Sequence, residues 1–422
     1  MSQPLAGLLV LDFTTLLPGP LAALMLAEAG AEVVKIERPG GEEMRFYPPR
    51  FDGNSAPFTM LNAGKKSLML DLKKASERER LIPLLTRADV LIEQFRPGVM
   101  TRLGLGYDDV AKLNPRLVYC SISGYGQSGP RVNEAGHDLN YIGNTGLLAL
   151  QTGPAGAPVV PPALIADIGG GSFPAVMNIL LGLRQRDATG RGCHVDIAMT
   201  DAMFTFAWYA LATGFSTGHF PANGELALAG GSPRYQLYPT KDGKLVACAA
   251  LEQKFWLAFC AAIGLSGPLA NDVADPAATK TAVAKLIVAR SAEEWRPVLA
   301  AADCCATIVA TLEEALHDPH FAARGNFSHE VSGSSGKKLR ALPVPIAAPF
   351  RSSAGEAKQA PRLNADADDL FHRFASAVQQ GEMGAEQQHA DEEAEAKHLG
   401  ADAQAKPLSG GHAKQRRQHR KD

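Results

Sequence analysis

A short apolar run at residues 7–13 (GLLVLDF), a helix-forming stretch with proline near its start at 18–29 (PGPLAALMLAEA), a glycine stop at Gly30 and a β-branched run at 32–37 (EVVKIE) follow one another at the N-terminus. That order reads strand, helix, strand. Two parallel strands joined by a helix close with a right-handed crossover, so the economical inference is a parallel sheet. The pattern then recurs: a strand at 67–72, a helix at 76–87, strands at 90–93 and 117–123, a long helix from about 172 to 186, and a segment 194–210 that reads as strand or helix. An α/β fold follows, a Rossmann-like, doubly wound domain with an open parallel sheet.

At 422 residues the chain has room for two or three domain-sized units. Residues 1–210 read as the first part of the large domain, and 211–235, dense in Gly and Pro, as a linker. From 236 a hairpin (236–238, the turn KDGK, 245–250) and several helical stretches read as a smaller α+β domain to 325, with 326–351 returning to the large one. Residues 352–422 hold few aromatics and end in KQRRQHRKD; a solvated, partly disordered tail is expected, with a basic arm as the alternative. Lys and Arg (42) nearly balance Asp and Glu (44), so no global charge argues for nucleic acid or an anionic membrane. The six cysteines lack CxxC pairs, and the apolar run at the N-terminus has no basic region before it and is cut by Asp12. A cytoplasmic protein with reduced thiols is the expectation.

The first test of such a fold is a dinucleotide. The turn after the first strand, FTTLLPGPLAA, lacks GxGxxG, and the match from Gly124 through Gly126 to Gly129 runs into Pro130 rather than a helix. NAD and FAD are not expected, and no GxxxxGK[ST] loop is present. Arg38, Lys65, Lys66 and Arg96 stand beside strand ends, where a ligand with several phosphates could meet them; each alone also reads as a surface cation paired with an acid. His137 in AGHDLNY has a glycine before it and no metal partners at ligand spacing, so a positioned or a structural histidine fits. Asp167 ends the run ALIA before IGGGS and a helix, as a reactive carboxylate beside helix-start amides or as a plain cap. Glu252, after the second domain's strand, is by itself an ordinary first-turn acid.

Together these segments resemble the class III CoA-transferase superfamily, and within it the α-methylacyl-CoA racemase branch. The resemblance rests on GLLVLDFTTLLPGPLAALMLAEAGAEVVKIERPGG, NAGKKSLMLDLK, ADVLIEQFRPGVMTRLGLGYDDV, SISGYGQSGP, AGHDLNY, LIADIGGGS, DGKLVACAALEQKFW and DCCATIVATLEEALHDPHFAARG, and covers about residues 5–345. It implies an interlocked homodimer and an acyl-CoA substrate, with coenzyme A as part of that substrate and no prosthetic group or metal. It places Arg38 at an adenine or phosphate contact, with Lys65, Lys66 and Arg96 as further candidates and Gly124, Gly126, Gly169 and Gly170 as backbone approached by the ligand. In transferases the aspartate matching Asp167 is the nucleophile. Racemases match His137, Asp167 and Glu252, all present here, so α-proton transfer between His137 and Asp167, with Glu252 orienting the imidazole, is the expected activity. CoA transfer through Asp167 is the alternative, and a non-catalytic acyl-CoA-binding protein a third.

Overall fold

The computed structural model describes residues 3–154, 157–352, 355 and 357–374. Six strands form the main sheet: β1 (Leu9–Asp12), β2 (Glu32–Glu37), β3 (Lys66–Met69), β4 (Val90–Glu93), β5 (Val118–Ser123) and β6 (Cys193–Ala198). They lie in the order β3-β2-β1-β4-β5-β6, and every neighbouring pair is parallel. The chain builds outward from β1 to β3, then returns to the other side of β1 for β4 to β6. That reversal makes a crevice beyond the carboxyl ends of β1 and β4, the usual ligand position in open α/β sheets.

The inner strands β4 and β5 are buried along their whole length, as their near-continuous apolar sequences require. Helix α1 (Pro18–Glu28) is buried around nearly all of its circumference and takes its prolines in the first turn, where a missing N–H costs nothing. Further along lie the short α2 (Asp138–Asn144), a π-helical stretch (Ala166–Ser172) and the long α3 (Phe173–Thr189). Val10, Leu26, Val90, Ile122, Ile179 and Leu183 join α1, α3 and the sheet in one core. Among the described residues one helical run, Ala166–Thr189, has the length and apolarity of a membrane span. One side of it packs on the sheet and on α1, while Phe173, Met177 and Leu181 remain exposed.

Three antiparallel strands, β7 (Tyr235–Pro239), β8 (Leu245–Ala249) and β9 (Ala306–Ile308), have their own core, in which Trp256, Phe259, Ile287 and Trp295 are buried. A third small sheet joins β10 (Glu330–Ser332) to β11 (Lys338–Arg340) and β12 (Lys358–Gln359).

Four local expectations need correction. The stretch 76–87 is two short helices, Ala75–Glu79 and Ile82–Leu85, because Pro83 cannot donate to a continuous helix. The ambiguous segment 194–210 is β6 followed by helix Asp201–Phe206 and the start of α4 (Trp208–Thr217), so helix continues into the 211–235 segment expected as linker. The long helix is preceded by a π turn that no residue pattern announced. Past residue 352 the chain is not all tail: β12 pairs with β10, and the side chains of Asn364 and Asp366 accept the outer-edge amides of Met69 and Ser67 on β3. Residues up to Ala367 form one compact unit, and Asp368 begins another, of which 368–374 are described as helix. The remainder of the expected tail, 375–422, lies outside the described residues.

Candidate active site

A cleft of about 430 Å³ opens beyond the carboxyl ends of β1, β4 and β5, beside the reversal in strand order. Leu16 and Pro18 line it after β1, Gln94 to Pro97 after β4, and Ser123 to Tyr125 at the end of β5. Gly136, His137, Asn140, Tyr141 and Asp167 complete the wall. Two of the three residues matched to racemase chemistry are thus in one cavity. Glu252, exposed and immediately ahead of α5 (Gln253–Ile263), is not among the lining residues.

Asp167 sits in the π turn, a distortion that proteins use at functional sites. Asp138 holds it there: its Oδ1 accepts the backbone N–H of Ala166 at 2.7 Å and of Asp167 at 3.0 Å. Ser172 Oγ ties the other end of the turn to the carbonyl of Pro18 at 2.8 Å. Burial and, after it, the Asp138 charge raise the Asp167 carboxyl to about 6, with His137 pulling the other way. The His137 side chain is thus an electrostatic neighbour of Asp167. His137 is exposed at the start of α2; its N–H donates to Asn140 Oδ1 at 3.0 Å, and its carbonyl accepts the Asn140 N–H at 2.8 Å.

Tyr141 anchors the segment before His137. Its hydroxyl donates to the carbonyl of Gly136, and its ring packs edge-on against Tyr125 with centroids 5.4 Å apart. The ring fills space that only glycine leaves: a Cβ at Gly124 would come within 2.5 Å of it, and one at Gly136 within 2.6 Å. Burial pushes the phenol up to about 12, so at neutral pH it stays a donor.

Packing alone requires the glycines at 169 and 170 after Asp167. A Cβ on Gly169 would meet the Phe206 ring at 2.7 Å, and one on Gly170 the carbonyl oxygen of Met199 at 2.3 Å. The amides of Ala166 and Asp167 are likewise engaged by Asp138 and are not spare donors for a ligand oxygen. Gly124 lines the cleft; Gly126, with φ +84°, shapes the turn beside it and is not among the lining residues.

Of the four strand-end cations, Arg96 alone lines the cleft. Lys65 is a correction: its Nζ is buried and donates to Asp12 Oδ2, Asn62 Oδ1 and the Pro20 carbonyl, each at 2.9 Å. Beside it Lys35, also buried, pairs with Glu42 at 2.9 Å and donates to the Thr14 carbonyl at 2.8 Å. Burial alone would raise the Asp12 carboxyl, but Lys35 and Lys65 outweigh it and hold it down at about 2. This paired cluster supports the crevice from below: Glu42 Oε2 accepts the N–H of Leu16, a cleft residue with φ +61°. Lys66 opens β3 and pairs at 2.9 Å with Glu32, the first residue of β2, away from the carboxyl-end cleft. Arg38 is exposed just past β2 and pairs with Glu43 at 3.3 Å. No grouping of three or more His, Cys, Asp or Glu side chains suited to a metal occurs among the described residues.

Sequence reasoning missed Asp138, Asn140, Tyr141 and Tyr125. Asp138, Asn140 and Tyr141 stand within AGHDLNY and Tyr125 within SISGYGQSGP, but residue type and spacing there do not show which of them tertiary contacts will bring to the site.

The chain matches the family model described as CoA-transferase family III over residues 5–367. It is 36% identical over 330 residues to the human alpha-methylacyl-CoA racemase (Homo sapiens), covering 76% of this chain and 82% of that protein. It is 33% identical over 384 residues to the acetyl-CoA:oxalate CoA-transferase of Acetobacter aceti, covering 88% and 96%. Among solved structures, a CaiB/BaiF family protein from Brucella suis superposes with a TM-score of 0.73 at 28% identity, covering 89% of this chain and 100% of that one. On this evidence the chain belongs to CoA-transferase family III, as an enzyme that processes acyl-CoA.

Proposed function

We propose that this enzyme epimerises 2-methylacyl-CoA thioesters by 1,1-proton transfer through an enolate. One observation carries the reading: His137 and Asp167 line the same cleft, close enough for one charge to act on the other. A thioester α-proton is weakly acidic, so its removal and return on opposite faces need two bases that both titrate near working pH. A carboxyl raised to about 6 meets that need better than an ordinary aspartate does. In one direction Asp167 takes the α-proton and the imidazolium of His137 returns one; in the other the roles exchange. The enolate oxygen needs donors already in place, and the side chains of Asn140 and Tyr125 are at hand in the wall. Coenzyme A is the handle and activator of the substrate, Arg96 its cationic contact in the cleft and Arg38 a contact further out.

The proposed assembly is a homodimer, in which a second copy brings its Glu252 to His137. Exposed Phe173, Met177, Leu181, Phe206, Trp208 and Phe215 on α3, α4 and the helix between supply apolar surface for such a partner. The cytoplasm is the proposed compartment, with neither membrane nor nucleic acid as a partner. The acyl group is apolar in this reading, Leu16, Phe95, Ile122 and Val132 supplying apolar lining to the cleft.

The second reading, transfer of CoA to a free carboxylic acid with Asp167 as nucleophile, draws support from transferase relatives that match as well as the racemases do. His137→Ala and Asp167→Ala separate the two. Racemisation requires both residues, and CoA transfer requires only Asp167. Racemisation that survives His137→Ala contradicts the proposed mechanism.

A further inference from the structure

One buried acid directly behind the wall of the cleft takes no part in this chemistry. Glu93, the last residue of β4, is 4% exposed and immediately precedes the lining segment from Gln94 to Pro97. Its Oε2 accepts the N–H of Phe95 at 2.8 Å, so the carboxyl grips that segment from behind. In the sheet register Glu93 faces Ser121 on β5, and Ser121 faces Asp196 on β6, so the three side chains form a row across parallel strands. Ser121 hydrogen-bonds to the Glu93 carboxyl, and its Oγ is 3.0 Å from Nε2 of His194 on β6. His194 is exposed and stacks on Tyr107 with ring centroids 5.2 Å apart. A hydrogen-bonded chain therefore runs from the cleft wall to solvent.

We propose that Glu93 is a positioning residue of the acyl-CoA cleft: through the Phe95 amide it fixes the segment that carries Arg96, and the Ser121–His194 chain lets its charge follow the pH outside. The inference rests on the acyl-CoA reading of the cleft. No cation is among the groups that act on Glu93. Burial, against the hydrogen bonds from Ser121 and the Phe95 amide and with a contribution from the Asp196 charge, raises its carboxyl to about 7. The other titratable groups around the row are Tyr119 and Cys120 on β5, both held protonated by burial, with Cys193 beside Cys120 and Asp109 acting on Tyr119. Asp108 and Asp196 act on His194, but the partial desolvation of its ring outweighs them and favours the neutral form. Asp196 Oδ2 also accepts the Gln127 N–H at 3.0 Å, which fixes it in place. Across neutral pH the charge in this row therefore changes at Glu93. An ionised carboxyl holds the Phe95 N–H with a charge-assisted bond, and a protonated one holds it more weakly.

The test is the Phe95 amide resonance in protein labelled with ¹⁵N-phenylalanine, assigned with Phe95→Leu and followed from about pH 5.5 to 8.5. In the wild-type protein it moves through one midpoint near 7, and in Glu93→Gln it stays flat. In Ser121→Ala the midpoint rises, because the anion has lost a donor. Calorimetric binding of CoA itself supplies the functional half: its affinity for the wild type relative to Glu93→Gln improves about three- to tenfold between about pH 6 and 8. The titration of the CoA phosphates is common to both proteins and cancels in the ratio. A flat Phe95 resonance in the wild type, an unmoved midpoint in Ser121→Ala or a pH-independent affinity ratio overturns the proposal. A wild-type protein that binds no CoA at either pH overturns the acyl-CoA reading instead, and the amide titration, which needs no ligand, stands or falls separately.

Discussion

At the scale of single residues, Asp138 sets what Asp167 can do. Its carboxylate positions the Asp167 backbone through two hydrogen bonds and its charge adds to the burial that raises the Asp167 carboxyl. The two effects separate by mutation. Asp138→Asn keeps an oxygen acceptor and loses the charge, so activity persists while the acid limb of the pH–rate profile moves below the wild-type value of about 6. Asp138→Ala loses both and lowers kcat/KM about 10- to 100-fold. An acid limb that stays in place in Asp138→Asn contradicts this assignment. Stability carries a second signature. Asp167 goes from 3.8 in an unfolded chain to about 6 here, so the folded state binds more protons between those values and its stability falls as pH rises through that window. Asp167→Asn is expected to be about 1–2 kcal/mol more stable than wild type at pH 8 and no more stable near pH 4, read by denaturant unfolding; the figure is discounted for partial solvation. Flanking glycines and a helix start marked His137 and Asp167 as candidates, but their roles came from the family resemblance, since a structural histidine and a plain cap look the same in sequence. Lys65 was misread because a lysine before a strand looks the same in sequence whether it meets a ligand or, as here, a buried aspartate.

At the scale of elements, the strands were legible to within a residue or two wherever β-branched runs were bounded by turns, as in β2 and β4. What the pattern could not show was anything set by tertiary contact. The π turn exists because Asp138 and the Pro18 carbonyl hold it, partners that lie 29 and 154 residues away in the chain. The protection of β3 was equally invisible. Its outer edge is an unpaired row of amides, and the side chains of Asn364 and Asp366 cap two of them at 2.8 and 2.9 Å. A sequence read as tail thus closes the sheet. Replacing both residues by alanine is expected to lower unfolding stability by about 1–3 kcal/mol, since two edge amides lose their acceptors. A urea midpoint equal to that of wild type contradicts that role.

At the scale of the whole molecule, the cleft draws on segments after three strands of one sheet and on a turn between α2 and α3, brought together by the reversal of strand order. The N-terminal strand–helix–strand unit made a parallel sheet legible, but the order of its strands is a property of packing, and so is the choice of Arg96 over Arg38, Lys65 and Lys66 as the cation in the cleft. Glu252 is exposed just ahead of α5, the helix that gives Trp256 and Phe259 to the second core, and stands outside the cleft of its own chain, which is why its proposed role depends on a second copy. In the proposed reaction His137 and Asp167 exchange protons with the α-carbon of a thioester. The direct measurement is NMR of the purified protein with a single enantiomer of a 2-methylacyl-CoA in deuterated buffer, with no carboxylic acid acceptor. The predicted result is α-deuterium incorporation with loss of optical purity, abolished in His137→Ala. Retention of the α-proton, with CoA moving to an added carboxylate and hydroxylamine trapping Asp167, would contradict it and assign the cleft to CoA transfer.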